Sequence, residues 1–64
     1  MRHGMFKFLK TGEWIRYHGA DYQVARVTHE NGWVIVETSG THTIREHGDT
    51  GLGVYHGEPR HRGR

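Results

Sequence analysis

Glycine recurs along this chain at intervals that leave no room for a long helix. Ten of the 64 residues are glycine, and no window of ten or more residues carries apolar side chains at the i, i+3, i+4 spacing of an amphipathic helix. Between the glycines lie short runs rich in Val, Ile, Thr, Trp and Tyr, a composition typical of strands. The sequence therefore predicts an all-β domain of five or six antiparallel strands.

The glycine-containing turns divide the chain into six predicted strands. Asn31-Gly32 is the clearest turn, because this dipeptide readily supplies the two positive-φ residues of a two-residue hairpin. Ser39-Gly40 is a second turn of the same kind, and His18–Asp21 is predicted to be a longer loop. The predicted strands are Met5–Lys10, Glu13–Tyr17, Tyr22–His29, Trp33–Thr38, Thr41–Glu46 and Leu52–His56. We expect residues 1–4 to be an N-terminal extension, residues 5–56 the domain, and residues 57–64 a flexible basic tail.

Turn positions fix the register of a sheet, and register decides which side chains share a face. The predicted cross-strand pairs are Glu30–Trp33, Thr28–Ile35, Arg26–Glu37, Glu37–His42, Ile35–Ile44, Tyr17–Tyr22 and Glu13–Arg26. The charged members form a row across the sheet, which we interpret as a solvated charge ladder rather than a catalytic row. Apolar residues fall on both faces, so the sheet must curl into a barrel or meet a partner, most simply a second copy.

The chain is short, mildly basic and free of cysteine. The absence of cysteine excludes disulfides and thiolate metal sites. A formal charge of +2 and a pI near 9.4 permit nucleic-acid contact without requiring it. No apolar run approaches the ~20 residues of a membrane span, and the first residues do not resemble a secretory signal. We therefore expect a cytoplasmic protein with no membrane partner.

Residues 12–27 alternate as one strand, a glycine turn and a second strand that ends in valine. They read Gly-Glu-Trp-Ile-Arg-Tyr-His-Gly-Ala-Asp-Tyr-Gln-Val-Ala-Arg-Val. This segment resembles the opening of SH3-like small barrels, among them KOW modules and Tudor-like domains. The resemblance implies a small SH3-like barrel or strongly bent sheet that binds through its loops and one sheet face, and it names no ligand.

No group of residues in the sequence indicates catalysis or a cofactor. Ser39 is the only serine and lies in a predicted turn. The triplet Asp49-Thr50-Gly51 is similar to that of aspartic proteases, but a tight turn accounts for it. Four histidines lack the spacing of a metal site on one regular element, although a site between subunits stays open: His29, His42, His47 and His56. We predict a binding module that is not an enzyme and holds neither a metal nor a cofactor.

Basic side chains are interleaved with aromatic ones along the predicted strands. Cations can neutralise phosphates while flat rings stack on the bases of a single strand. The predicted nucleic-acid-binding residues are Arg16, Tyr17, Arg26, Trp33, Arg45, Arg60, Arg62 and Arg64. Nucleic acid is thus the first predicted partner, and the sequence does not distinguish DNA from RNA.

A protein partner is the alternative, because tryptophan, tyrosine and arginine are enriched at interface hot spots. In that hypothesis the chain is a docking accessory, such as a viral or mobile-element protein that binds and modulates a larger host complex. The predicted protein-interface residues are Tyr22, Trp33, Ile35 and Ile44. Self-association into a homo-oligomer is expected under either hypothesis.

Overall fold

The fold is a strongly bent, six-stranded antiparallel sheet, as the sequence predicts. A computed structural model describes residues 1–59. The strands are β1 (Arg2–Met5), β2 (Trp14–Tyr17), β3 (Ala20–Glu30), β4 (Trp33–Thr38), β5 (Thr43–His47) and β6 (Gly51–Val54), and a 3₁₀ helix spans Phe6–Phe8. Their order in space is β1-β6-β2-β3-β4-β5, and the sheet does not close. Arg60, Arg62 and Arg64, and with them most of the predicted tail, lie outside the described residues.

β3 is long enough to take part in both halves of the sheet. Its first residues pair with β2 and its later residues pair with β4. The register slips between Val24 and Arg26, which is a β-bulge, and bulges bend and twist a strand. As a result, one set of alternate residues of β3 faces the interior before the bulge, and the other set faces it after the bulge. Val24 is 1% exposed before the bulge, and Val27 packs against the core after it.

The two halves of the bent sheet enclose one apolar core. Its fully or nearly buried members are Phe6, Leu9, Ile15, Val24, Val34, Val36, Ile44, Leu52 and Val54. Burial of each such side chain contributes about 1.5–3 kcal/mol to the free energy of unfolding. Each contribution is large compared with the total stability of a domain this small. The 3₁₀ helix is fastened to the β5–β6 loop, because the N–H of Phe6 donates to the Thr50 carbonyl (3.1 Å) and that of Lys7 to the Gly48 carbonyl (3.0 Å).

The first predicted strand, Met5–Lys10, is wrong. The strand begins earlier, at Arg2, and residues 2–5 pair with β6. Residues 6–8 then form the 3₁₀ helix, which leaves Phe6 and Leu9 buried and Phe8 exposed. Phe6 and Leu9 are three residues apart, and a 3₁₀ helix of three residues per turn brings such a pair to one side. The burial of Phe6 and Leu9 therefore follows the three-residue spacing of a 3₁₀ turn and not the alternation of a strand.

Two hairpin turns have two residues each, and only one of them is predicted correctly. Asn31 (φ 52°) and Gly32 (φ 85°) form the expected turn, and the pairs Glu30–Trp33, Thr28–Ile35 and Arg26–Glu37 are confirmed. His18 (φ 51°) and Gly19 (φ 81°) form a similar turn in place of the predicted four-residue loop. Tyr17 therefore lies opposite Ala20, and its predicted pairing with Tyr22 is wrong.

The turn between β4 and β5 is one residue longer than predicted. The backbone N–H of Thr38 (3.2 Å) and its side-chain hydroxyl (2.8 Å) both donate to the His42 carbonyl. Ile35 therefore lies opposite Arg45, and Ile44 lies opposite Val36. A slip of one residue exchanges the two faces of a strand, so Ile44 is 5% exposed and belongs to the core.

The longer β4–β5 turn and the shorter β2–β3 turn together remove the predicted charged row. Glu37 lies opposite Thr43 rather than His42. Glu13 binds Arg2 at 2.8 Å rather than facing Arg26. Of the row only the Arg26–Glu37 pair is confirmed.

The register of β5 can be tested with one pair of matched substitutions. Ile44→Val should lower the free energy of unfolding by about 0.5–1.5 kcal/mol, because it removes a buried methyl group. Ile35→Val removes the same group from a half-exposed position and should cost much less. Urea unfolding of both variants measures the difference, and a larger loss for Ile35→Val would contradict the register.

Candidate nucleic-acid interface

One face of the β3–β4–β5 segment points away from the core. The register places Thr28, Ile35 and Arg45 in one row and Glu30, Trp33 and His47 in the next. These side chains are exposed or half-buried. We call this surface the Trp33 face and define it by the outward-facing residues of these strands, which are Arg26, Thr28, Glu30, Trp33, Ile35, Glu37, Arg45 and His47.

Trp33 contacts two side chains of β5 while part of its own side chain stays exposed. The His47 ring is stacked on it, with the ring centroids 3.8 Å apart and the planes inclined by 29°. The Arg45 guanidinium carbon lies 4.3 Å from the centre of the indole ring, which is a cation–π contact. These two contacts hold the indole in a defined position on the Trp33 face.

Arg45 differs from the other arginines of residues 1–59 in its charge environment. Arg2 pairs with Glu13, Arg16 with Asp21 (3.1 Å) and Arg26 with Glu37 (3.9 Å). Within the described part of the chain Arg45 has no carboxylate partner. It therefore keeps its positive charge available on the exposed Trp33 face.

The structure brings together only some of the predicted nucleic-acid-binding residues. Arg26, Trp33 and Arg45 share the Trp33 face. Arg16 lies on the other half of the sheet, in β2, where its Nε donates to Asp21. The same carboxylate accepts a hydrogen bond of 2.7 Å from the Tyr55 hydroxyl, and this bond raises the pKa of Tyr55.

Tyr17, another predicted nucleic-acid-binding residue, packs against the core and lies apart from the Trp33 face. Its ring meets Phe6 edge to face, with centroids 5.7 Å apart. Its hydroxyl donates a hydrogen bond to the Glu46 carboxylate. That bond, followed by burial, raises the pKa of Tyr17 above its usual value of 10.0. Tyr17 is therefore part of the packing between β2 and β5.

The predicted protein interface is likewise divided between the two sides of the sheet. Trp33 and Ile35 lie on the Trp33 face. Tyr22 packs against the core and its ring is 5.2 Å from that of His42, and Ile44 is buried. The four residues therefore do not form one surface, because the longer β4–β5 turn buries Ile44 and the bulge in β3 puts Tyr22 on the interior side.

An open cleft of about 370 Å³ lies beside Trp33, between the β3–β4 turn and the β5–β6 loop. It is lined by His29, Glu30, Trp33, His47, Lys7 and Asp49 among others. The N–H of Gly48 donates to the Gly32 carbonyl (2.9 Å), which holds the two connections together. A side chain at position 48 would meet the Lys7 Cβ at 3.0 Å, so glycine permits the close approach.

Lys7 and Asp49 form an exposed ion pair of 2.7 Å at the border of this cleft. The hydrogen bond from Lys7 and its positive charge lower the pKa of Asp49. Neither this cleft nor the position of His47 beside it was predicted from the sequence. The position of His47 follows from the register of β5, because the longer β4–β5 turn places His47 directly opposite Trp33.

Comparisons with protein-family models, with curated proteins and with solved structures gave no significant match. Within residues 1–59 no helix is long and apolar enough to cross a membrane. In the same part of the chain no cluster of three or more His, Cys, Asp or Glu side chains has the geometry to hold a metal ion.

The Tyr17–Glu46 contact predicts a stability difference that depends on pH. Tyr17→Phe should lower the free energy of unfolding by about 1 kcal/mol near neutral pH, because it removes a partly buried hydrogen bond. A raised folded-state pKa stabilises the protein below the unfolded value of 10.0, and this contribution disappears as the pH rises through the folded-state value.

The difference between wild type and Tyr17→Phe should therefore shrink above about pH 10. Urea unfolding at several alkaline pH values measures it. Equal stability of the two proteins at neutral pH would show that the hydrogen bond contributes nothing.

Proposed function

We propose that this protein is a non-catalytic module that binds single-stranded nucleic acid through the Trp33 face. The observation that carries the proposal is the half-buried indole of Trp33 in contact with Arg45, an arginine without a carboxylate partner in the described residues. An aromatic ring beside a free cation suits a nucleotide, because the ring stacks on the base while the cation attracts the phosphate.

The surroundings of Trp33 support a single strand over a duplex. The Trp33 face is a sheet surface with one large ring, and the bases of a duplex are stacked on each other and do not offer their faces to it. Thr28 and Ile35 form the neighbouring row, where a hydroxyl and an apolar side chain can contact sugar and base. Arg60, Arg62 and Arg64 of the sequence supply three further positive charges for the backbone.

We propose in addition that the bent sheet is of the SH3-like type. The resemblance of residues 12–27 to SH3-like small barrels favours binding over catalysis, because such barrels bind through one sheet face and its loops. The bent sheet with an exposed Trp33 face is compatible with that mode of binding.

A salt titration with a labelled single-stranded oligonucleotide tests the proposal. Affinity should fall steeply between about 50 and 200 mM salt, because bound counterions are released from neutralised phosphates. Arg45→Gln should weaken binding and reduce the slope of log K against log[salt] by about 0.7, the value for one phosphate contact on a single strand. Fluorescence anisotropy measures both quantities.

Lys10→Gln is the matched control. Lys10 is exposed, lies outside the Trp33 face and has no ion-pair partner among the residues described, so the variant loses the same charge elsewhere on the surface. Its effect should be clearly smaller than that of Arg45→Gln. Equal effects of the two variants, or an affinity independent of salt, would reject binding at the Trp33 face.

Tryptophan fluorescence gives a second measurement of the same site. Trp14→Phe leaves Trp33 as the one tryptophan of the chain. Stacking of a base on the indole should quench its emission on titration with an oligonucleotide. Bound oligonucleotide without any change in Trp33 emission would place the nucleic acid on another surface.

Protein docking is the second candidate, and a different surface favours it. Met1, Met5 and Phe8 are 61%, 40% and 65% exposed, and they lie along β1 and the 3₁₀ helix at one edge of the sheet. Clustered exposed apolar side chains indicate a protein interface, most simply with a second copy of the chain.

This candidate predicts self-association that depends on Phe8. Sedimentation equilibrium should give a mass above the 7.4 kDa of one chain, and Phe8→Ser should return it to the monomer value. Trp33→Ala should leave the mass unchanged, because Trp33 lies on another face. A monomeric wild-type protein at high concentration would reject self-association through this edge.

A further inference from the structure

We propose that the cleft beside Trp33 is a site for one guanine base of the bound strand. This inference rests on the proposed function and adds to it a preference for one base. Trp33, with the His47 ring stacked on it, provides the aromatic surface of the cleft, and Glu30 provides the group that recognises the edge of the base.

The register places Glu30 beside the indole. Glu30 lies directly opposite Trp33 in the β3–β4 hairpin, and both side chains line the cleft. The type of turn fixes this pair, because Asn31 and Gly32 leave no residue free to shift the register. A flat ligand on the indole at this end of the sheet therefore has a carboxylate next to its edge.

The Glu30 carboxylate has no partner of its own in the described residues. The other acids, apart from Glu58, are occupied: Glu13 by Arg2, Asp21 by Arg16 and Tyr55, Glu37 by Arg26, Glu46 by Tyr17, and Asp49 by Lys7. Asp49, the other carboxylate at the cleft, is thus neutralised by Lys7. Glu30 is the acceptor that remains for a ligand.

The charge of the cleft decides which part of a nucleotide enters it. An unpaired carboxylate repels a phosphate, so the phosphate belongs on the Arg45 side of Trp33 and the base belongs in the cleft. An ionised carboxylate has two acceptor oxygens and no donor. It therefore recognises a base edge that offers two adjacent N–H donors.

Guanine meets this requirement on its Watson–Crick edge. Its ring N1–H and exocyclic N2–H₂ lie side by side, whereas adenine, cytosine and uracil each present donors from a single nitrogen there. Unstacked bases of single strands are read on this edge while their faces stack on aromatic side chains. A volume of about 370 Å³ accommodates one purine, and it falls within the roughly 300–1,000 Å³ typical of ligand sites.

Glu30→Gln, compared with Glu58→Gln, tests the inference. The probes are labelled oligouridines that carry one central guanine, inosine, adenine or cytosine. The wild-type protein should prefer the guanine probe by about tenfold, as expected for a two-point contact to a base edge. Inosine lacks the 2-amino group and should lose most of that preference.

Both variants remove one negative charge, so both should bind every probe somewhat more tightly. Glu30→Gln should in addition lose the guanine preference, because its amide offers one acceptor oxygen in place of two. Glu58→Gln should retain it, since Glu58 lies at a different groove.

The outcomes separate this inference from the proposed function. Salt-dependent binding that is equal for all four probes, or a guanine preference that survives Glu30→Gln, overturns the guanine site and leaves nucleic-acid binding standing. Failure of every probe to bind overturns both. Quenching of Trp33 by guanosine monophosphate, but not by uridine monophosphate, in the Trp14→Phe background would support the site independently of the rest of the strand.

Discussion

The bulge in β3 decides which residues of this chain are inside and which are outside. Before the bulge β3 completes the half of the sheet formed with β2, β6 and β1, and after it the strand begins the half formed with β4 and β5. The extra residue changes the parity of the strand, so that Val24 and Val27 both face the interior although they are three residues apart. A regular strand would turn Val27 outward and Thr28 inward. The core and the Trp33 face therefore depend on the same irregularity.

The sequence predicts local turns well where the backbone chemistry leaves one solution. Asn31-Gly32 fits a two-residue turn, and the three pairs that follow from it are correct. Ser39-Gly40 is equally compatible with two or three loop residues, and the hydrogen bonds of Thr38 to His42 select the longer turn only in the folded chain. His18 adopts a positive φ, which histidine does more often than most residues, but no local signal required it.

The composition of the candidate site is visible in the sequence, whereas its charge state is not. The interleaving of arginine with aromatic residues includes Trp33 and Arg45, which are in contact in the folded chain. Whether an arginine is free or paired depends on strands that meet only in the folded protein, as Arg2 of β1 meets Glu13 at 2.8 Å. The same holds for Tyr17, which the sequence shows as one more ring beside a basic residue. Its contact with Glu46 joins residues that are 29 positions apart. The alternation of side chains along a strand does not predict a contact between residues so far apart in the sequence.

Trp33 also explains why two opposite charges remain unpaired on one face. Glu30 lies on β3 and Arg45 on β5, and β4 with its indole runs between them. Strands two apart are separated by about 9–10 Å, which is too far for an ion pair to form without bending both side chains over the ring. Arg45 rests on the indole, where the cation–π contact compensates for the missing carboxylate. A pair closed over the ring would contribute little at an exposed site. The separation imposed by β4 thus leaves an aromatic plane with a cation on one side and an acceptor on the other.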